Sequence, residues 1–155
     1  MDLEAKSQAL SVTEMTEYVL PQHTNALGSV FGGQVMAWVD LCAAICAQRH
    51  AGKQCVTAHV DDLKFQEPVR TGEVIRLRAR VTATFRTSME IEVDVMGEDS
   101  RNGRSWPCVH ARTTFVALDD ARKPTPVPPL KLDSEDVRAS QRAGEERRRF
   151  RLQRG

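Results

Sequence analysis

The chain lacks four things, and each absence excludes a class of protein. It lacks an excess of charge: 22 lysines and arginines stand against 21 aspartates and glutamates in 155 residues, a formal net charge of +1. That balance excludes a general nucleic-acid binder, which carries a basic excess on its folded core. It lacks an apolar run long enough to span a bilayer. Its opening residues, "MDLEAKSQAL", lack the basic stretch and apolar stretch of a secretory signal, so the cytoplasm is the expected compartment. Its four cysteines, Cys42, Cys46, Cys55 and Cys108, lack the two-residue spacing of metal-binding pairs. Cys42 and Cys46 lie four apart on a predicted helix, but no full ligand set accompanies them. We read them as small buried hydrophobes, with no motif to activate one as a nucleophile. His23, His50, His59 and His110 form no recognisable triad or metal set. Ser29, Ser88 and Ser105 have no nucleophile-elbow context. Neither a metal nor a resident cofactor is expected.

What is present is one strong helix among strands, on a length that fits one domain. Residues 9–20 are rich in β-branched side chains and stop at Pro21, which predicts a strand. Pro21, Asn25, Gly28 and Ser29 make 21–30 a loop. From Gly32 and Gly33 to about Gly52, Val35, Val39, Cys42, Cys46 and Arg49 recur at helical spacing, and Trp38 and Ile45 widen the stripe. Strands are predicted at 55–65, 74–84, 88–96 and 107–118, with a polar loop at 97–106. One helix on an antiparallel sheet of about five strands is an α+β domain, bounded at 9–120. The helix is apolar almost all round. One sheet covers only one side, so a second subunit is the natural cover.

Two strands suggest their own pairing. Ile75, Leu77, Ala79 and Val81 alternate with Arg76, Arg78 and Arg80; Met89, Ile91, Val93 and Val95 alternate with Glu90, Glu92 and Asp94. A hairpin centred near Phe85 sets Arg80 against Glu90, Arg78 against Glu92 and Arg76 against Asp94. Val81 then meets Met89 on the apolar face, and the charges form a solvated sheet face. Beyond the core, residues 121–155 read as a Pro-rich linker and a charged tail. "KPTPVPPL" (123–130) is expected to break away from the core. The residues after Asp133 are expected to form a marginal surface helix or a disordered tail, capped by Asp133 or Ser134 and interrupted by Gly144. Their basic run is read as solvated, and their removal as harmless to folding.

Asp40 is the residue out of place. Its neighbours one turn away are Met36, Ala37, Ala43 and Ala44, none of which pairs with a carboxylate. It must be exposed, paired from elsewhere, or used. Here "NALGSVFGGQVMAWVDLCAA", "VTAHVDDLKFQEPVRTGEVI" and "FRTSMEIEV" resemble the hotdog-fold acyl-CoA thioesterases, in the branch of broad-range bacterial and animal cytosolic acyl-CoA hydrolases. The resemblance covers about residues 9–120. It implies a long central helix wrapped by an antiparallel sheet, and hydrolysis of acyl-CoA to a carboxylic acid and CoA.

The resemblance also implies sites between two subunits of a homodimer, with a hexamer of three dimers as a further assembly. It implies Asp40 as general base or nucleophile, and Asn25 of the other subunit as the group orienting water or substrate. A backbone N–H near Gly33 would polarise the carbonyl, with Gly32 beside it, and Arg86, Thr87 and Ser88 would meet CoA. The residues agree independently: glycine admits close approach, and a helix N-terminus aims N–H groups at developing negative charge. Two alternatives stay open at this point, a hotdog dehydratase of 3-hydroxyacyl thioesters using His59, and a non-catalytic acyl-CoA sensor.

Overall fold

The computed structural model describes residues 3–154. Strand β1 (Thr13–Tyr18) leads to helix α1 (Gly32–Ala51), then β2 (Gln54–Phe65), β3 (Val74–Thr84), β4 (Ser88–Asp99), β5 (Arg104–Leu118) and helix α2 (Glu135–Arg154). The five strands form one antiparallel sheet in the order β1-β3-β4-β5-β2. The chain therefore crosses from one sheet edge to the other through α1, which lies in the concave face. Val35, Val39, Cys42, Cys46 and Ala47 of α1 are fully buried with Ile75, Leu77, Val93, Val95 and Phe115 of the sheet. Gly52 ends α1 in the left-handed conformation at φ 67°, where a Cβ would be strained. This is the α+β hotdog architecture that the sequence leads one to expect. Among the described residues no helix is long and apolar enough to cross a membrane.

Four local expectations are corrected. The first strand is shorter than 9–20, because residues 8–10 form a 3-10 turn. The polar loop at 97–106 shrinks to four residues, since β4 and β5 run on to Asp99 and from Arg104. Gly97 is the reason: it pairs with Trp106, and a Cβ there would sit 2.4 Å from the indole nitrogen. The glycine that reads as a turn signal is the bare spot over which Trp106 lies, its N–H donating to the Pro68 carbonyl at 3.1 Å.

The third correction concerns register. Arg80 faces Glu92, Arg78 faces Asp94, Arg76 faces Met96, and Val81 faces Ile91, each two residues beyond the expected partner. A two-residue slip leaves every side chain on its own face, so alternation cannot detect it. The turn is centred after Arg86, closed by Phe85 N–H donating to the Ser88 carbonyl at 2.8 Å, and Thr82 forms a bulge. Beyond the bulge Glu90 lies opposite Ala83 and is buried. It belongs to no solvated face.

The fourth correction is the C-terminal segment. The Pro-rich stretch is laced to the core. Thr125, Val127 and Leu130 donate their backbone N–H groups to the Ala117 carbonyl, the Arg86 carbonyl and Thr84 Oγ1, and Val127 and Leu130 are buried. Its prolines stiffen the chain, while the residues between them supply the donors. Helix α2, capped by Ser134 Oγ accepting from Val137 N–H, packs on the outer face of β3. Arg147 grips the Glu90 carboxylate with two hydrogen bonds of 2.9 and 2.7 Å, and Thr82 Oγ1 donates to it at 2.7 Å. Gly144, which reads as an interruption, is buried against Ala83, where a Cβ would overlap the methyl group at 2.3 Å.

Candidate functional site

Asp40 stands on the face of α1 that its own sheet leaves open. It is exposed, in company with Ala37, Leu41 and Ile45. One partner reaches it: Thr57 of β2 donates its hydroxyl to Asp40 Oδ1 at 2.6 Å. Nothing in the motif marks Thr57; its one signal in the sequence is a β-branched hydroxyl in the strand that follows a lone helical acid. The bond fixes the carboxylate's rotamer and engages one oxygen, and among the described residues Oδ2 has no hydrogen-bond partner. Around it the edge strand β2 exposes Val56, Val60, Leu63 and Phe65, so the acid sits in a broad apolar surface.

Asn25 is positioned by a tight loop. Its Oδ1 accepts from Leu27 N–H at 2.9 Å and Ser29 N–H at 3.2 Å, and Gly28 completes the loop at φ 78°. Two backbone donors fix which end of the amide is which. The oxygen is used and the Nδ2 group, with two hydrogens, points outward. Asn25 is thus a turn residue whose free end is a donor.

The helix entry lies beside it. Phe31 gives α1 no side-chain cap, so the first N–H groups, those of Gly32 and Gly33 included, have no acceptor within the helix. Gly32 is packed under Phe65, where a Cβ would come within 3.2 Å of the ring. A cavity of about 690 Å³ opens here, lined by Asn25, Leu27, Val30, Gly32, Phe65 and Cys108 among others. Within one chain Asn25 and Gly32 share this cavity, whereas Asp40 does not line it. Eight residues of helix separate Gly32 from Asp40, a rise of about 12 Å.

The corner of Arg86, Thr87 and Ser88 is the β3–β4 turn. In the sheet Ser88 pairs with Val116, which pairs with Val56, next to Thr57. The corner is therefore two strands from Thr57, the partner of Asp40, about 10 Å across the sheet, and at the other end of the sheet from Phe65. Arg86 is exposed and Thr87 and Ser88 are half-buried.

Other reactive groups are accounted for by packing. Burial pushes the thiols of Cys42, Cys55 and Cys108 up to about 11 and that of Cys46 up to about 12, so all four stay protonated and poorly nucleophilic near neutrality. Among the described residues Glu92, Asp94 and His110 are the one group gathered closely enough to hold a cation. Burial pushes the Glu92 carboxyl up, but the bond from Arg80, the Arg80 charge, His110 and Arg112 outweigh it and hold it below the ordinary carboxylate range. Those arginines already neutralise the group.

Comparison with known proteins bears on all of this. A family model described as the thioesterase superfamily matches residues 27–103. The mouse (Mus musculus) acetyl-coenzyme A thioesterase is 36% identical over 139 residues, which make up 90% of this chain and 25% of that one. The chain thus spans about a quarter of that relative's length. A crystal structure of an apo-hexameric acyl-CoA thioesterase superposes with a TM-score of 0.92 at 34% identity, covering 98% of this chain and 97% of the other. An acyl-CoA hydrolase from Staphylococcus aureus, solved in complex with butyryl coenzyme A, coenzyme A and coenzyme A disulfide, superposes at 0.88 and 35% identity, covering 97% and 92%.

Proposed function

We propose that this chain, which belongs to the acyl-CoA thioesterase family of the thioesterase superfamily, hydrolyses the thioester of acyl-CoA to a carboxylic acid and CoA. The observation that carries the reading is the Asp40 carboxylate, held by Thr57 at 2.6 Å and presented on an open apolar face. In this reading Asp40 takes a proton from water as the water attacks the thioester carbonyl, or attacks the carbonyl itself. The carbonyl oxygen gains negative charge as the tetrahedral intermediate forms. The N–H groups of Gly33 and Gly32 at the start of α1 stabilise it, as preorganised donors do. The Nδ2 group of Asn25 orients water or the carbonyl. In the general-base route collapse of the intermediate breaks the C–S bond, and the proton held by Asp40 passes to the CoA thiolate. In the nucleophilic route the C–S bond breaks to leave an acyl-aspartyl anhydride, and the water that then hydrolyses it supplies the hydroxyl of the acid and the proton for the thiolate. CoA is part of substrate and product, and no resident cofactor enters the scheme.

The separation within one chain is resolved by a second copy. Strand β2 is an edge strand with exposed apolar side chains, and a two-fold axis near Asp61 would pair it antiparallel with its counterpart. Thr57 of one chain then lies across from Phe65 of the other. Asp40 of one subunit thereby meets the Gly32 and Asn25 end of its partner. We propose this homodimer as the catalytic unit, and three such dimers as the larger assembly. The cytoplasm is its proposed compartment, in keeping with four unpaired thiols.

Release of free thiol from acyl-CoAs tests the reading. Asp40→Asn keeps the shape of the side chain and loses its basicity, so kcat should fall by about 10²–10⁴ while CoA still binds. A variant that kept most of its rate would remove Asp40 from the chemistry. Loss of enoyl absorbance without thiol would replace hydrolysis by hydration, and tight binding without turnover would make the protein a sensor.

A further inference from the structure

One histidine lies at the joint between the Asn25 loop and the helix entry. His23 precedes Asn25 by two residues, and its contacts run in three directions. Its Nδ1 accepts from the Leu20 N–H at 3.1 Å, while its own backbone N–H donates to the Leu20 carbonyl at 2.9 Å. Its backbone carbonyl accepts from the Phe31 N–H at 3.1 Å. Its ring stands edge-on to the Trp38 indole of α1, with centroids 5.0 Å apart at an angle of 76°. From His23 the chain runs to Phe31 as a small hairpin. Thr24 pairs with Val30, and the Asn25 N–H donates to the Ser29 carbonyl at 2.8 Å. The two arms are held differently. The outer arm is pinned to a neighbouring segment, with Val30 N–H donating to the Val69 carbonyl at 2.8 Å and Thr71 N–H to the Gly28 carbonyl at 3.1 Å. The inner arm carries Asn25, and among the described residues its hydrogen bonds all stay within residues 20–31. The His23 side chain ties that arm to Leu20 and sets it against Trp38.

From this arrangement we infer that His23 is a positioning residue for the hydrolysis: its Nδ1, by holding Leu20, keeps the Asn25 amide and the N–H groups of the helix entry in one fixed relation. This rests on the roles proposed for Asn25, Gly32 and Gly33. The path to each is short. Asn25 is two residues along the inner arm. Phe31, whose N–H is bonded to His23, offers its carbonyl to the N–H groups of Gln34 and Val35 at 3.1 and 3.3 Å. The residue that starts α1 and aims Gly32 and Gly33 is therefore bonded to the same histidine. Preorganised donors act by being in place before the charge develops, and misplacement by about 1 Å can cost a hundredfold in rate. The Leu20 bond itself is exposed, so water can replace it and its loss costs the fold little. The rate should respond to that bond far more than the stability does.

Two substitutions separate the hydrogen bond from the packing. His23→Asn carries Oδ1 on Cγ where histidine carries Nδ1, so the acceptor stays and the ring is lost. His23→Phe keeps a ring against Trp38 and loses the acceptor. With thiol release from one acyl-CoA as the assay, His23→Phe should lower kcat by about 10–100-fold with KM changed by less than about twofold. Its unfolding midpoint in urea should stay close to that of the unsubstituted protein. His23→Asn should keep kcat to within about threefold. In an Asn25→Ala background His23→Phe should cost less than it does alone, because part of what it disturbs is already gone. An unchanged kcat in His23→Phe would overturn the inference. So would a loss in His23→Asn as large as that in His23→Phe, or a loss that tracks a lowered midpoint, since both mark packing. Additive losses in the double variant would overturn it too, because His23 would then act independently of Asn25. Full activity in Asn25→Ala, or no thiol release by the unsubstituted protein, would instead overturn the proposed roles or the proposed hydrolysis, and the inference with them.

Discussion

At the scale of single residues, what distinguishes the molecule is how polar groups are disposed within an apolar core. Asp40 has a helix position that looks like core in sequence, yet it faces outward and is oriented by one hydroxyl, Thr57. His50 is the opposite case. It is fully buried at the end of α1, its Nε2–H donates to the Pro128 carbonyl at 2.7 Å, and its Nδ1 has no partner among the described residues. A carbonyl only accepts, so the proton sits on Nε2 and the bare Nδ1 has nothing to receive a second one. Burial lowers the His50 pKa below its ordinary value of 6.5, and the nearby Lys6 charge acts in the same sense against the bond to Pro128. The sign follows: below about pH 6.5 the unfolded chain takes up a proton that the folded chain refuses. Stability is therefore full at neutral pH and declines as pH falls through that range, by at most about 1.4 kcal/mol per pH unit for one proton. In urea unfolding at fixed protein concentration, His50→Gln should flatten the decline between pH 7.5 and 5.5. An identical pH slope in both proteins would mean that His50 does not contribute to it.

At the scale of elements, α2 governs more than its composition suggests. It covers the bulge at Thr82 through three kinds of contact: the Arg147–Glu90 pair, the Gln141 bonds to both backbone groups of Thr84, and the close approach of Gly144 to Ala83. The Glu90 side chain is only 5% exposed, so losing its partner leaves a charge buried and unpaired. Arg147→Met should destabilise the protein by about 3 kcal/mol, near the lower end for such pairs because the arginine itself is part-exposed. Arg149→Met removes an exposed helical pair with Glu146 and should cost under about 0.5 kcal/mol. Comparable midpoints for the two variants would show that the Arg147–Glu90 pair stabilises the protein no more than an exposed pair does. The same helix marks where the sequence stopped being legible. Alternation and helical period determine which face each residue of α1, β3 and β4 occupies, so those elements were readable. A register slip of two residues, a bulge at Thr82 and a glycine used for contact instead of a turn leave no trace in period or composition. Of the candidate site, the acid, the asparagine and the helix entry stood out in their motif. Thr57 did not, because its partner lies on another element, the helix packed beside its strand.

At the scale of the whole molecule, the groups of the candidate site lie at two separate places on one chain. In one chain Asn25 and Gly32 line a cavity that Asp40 does not, and both the Asp40 face of α1 and the β2 edge expose apolar side chains. The proposed two-fold pairing through β2 would cover both exposures at once and join the acid of one chain to the donors of the other. Subunit mixing tests this directly. Asn25→Ala and Asp40→Asn are each expected to be nearly inactive alone. When equal amounts are mixed and exchange is complete, about half the dimers contain one of each. If the two residues act across the interface, a mixed dimer has one site carrying both lesions and one site carrying neither. Roughly one quarter of the sites in the mixture then regain full activity. If both residues act within one chain, every site carries one lesion and mixing restores nothing. Exchange is verified by native mass spectrometry of the mixed species. A mixture that contains those species and still releases no thiol would place the whole site in a single chain, and the pairing of β2 edges would lose its functional meaning.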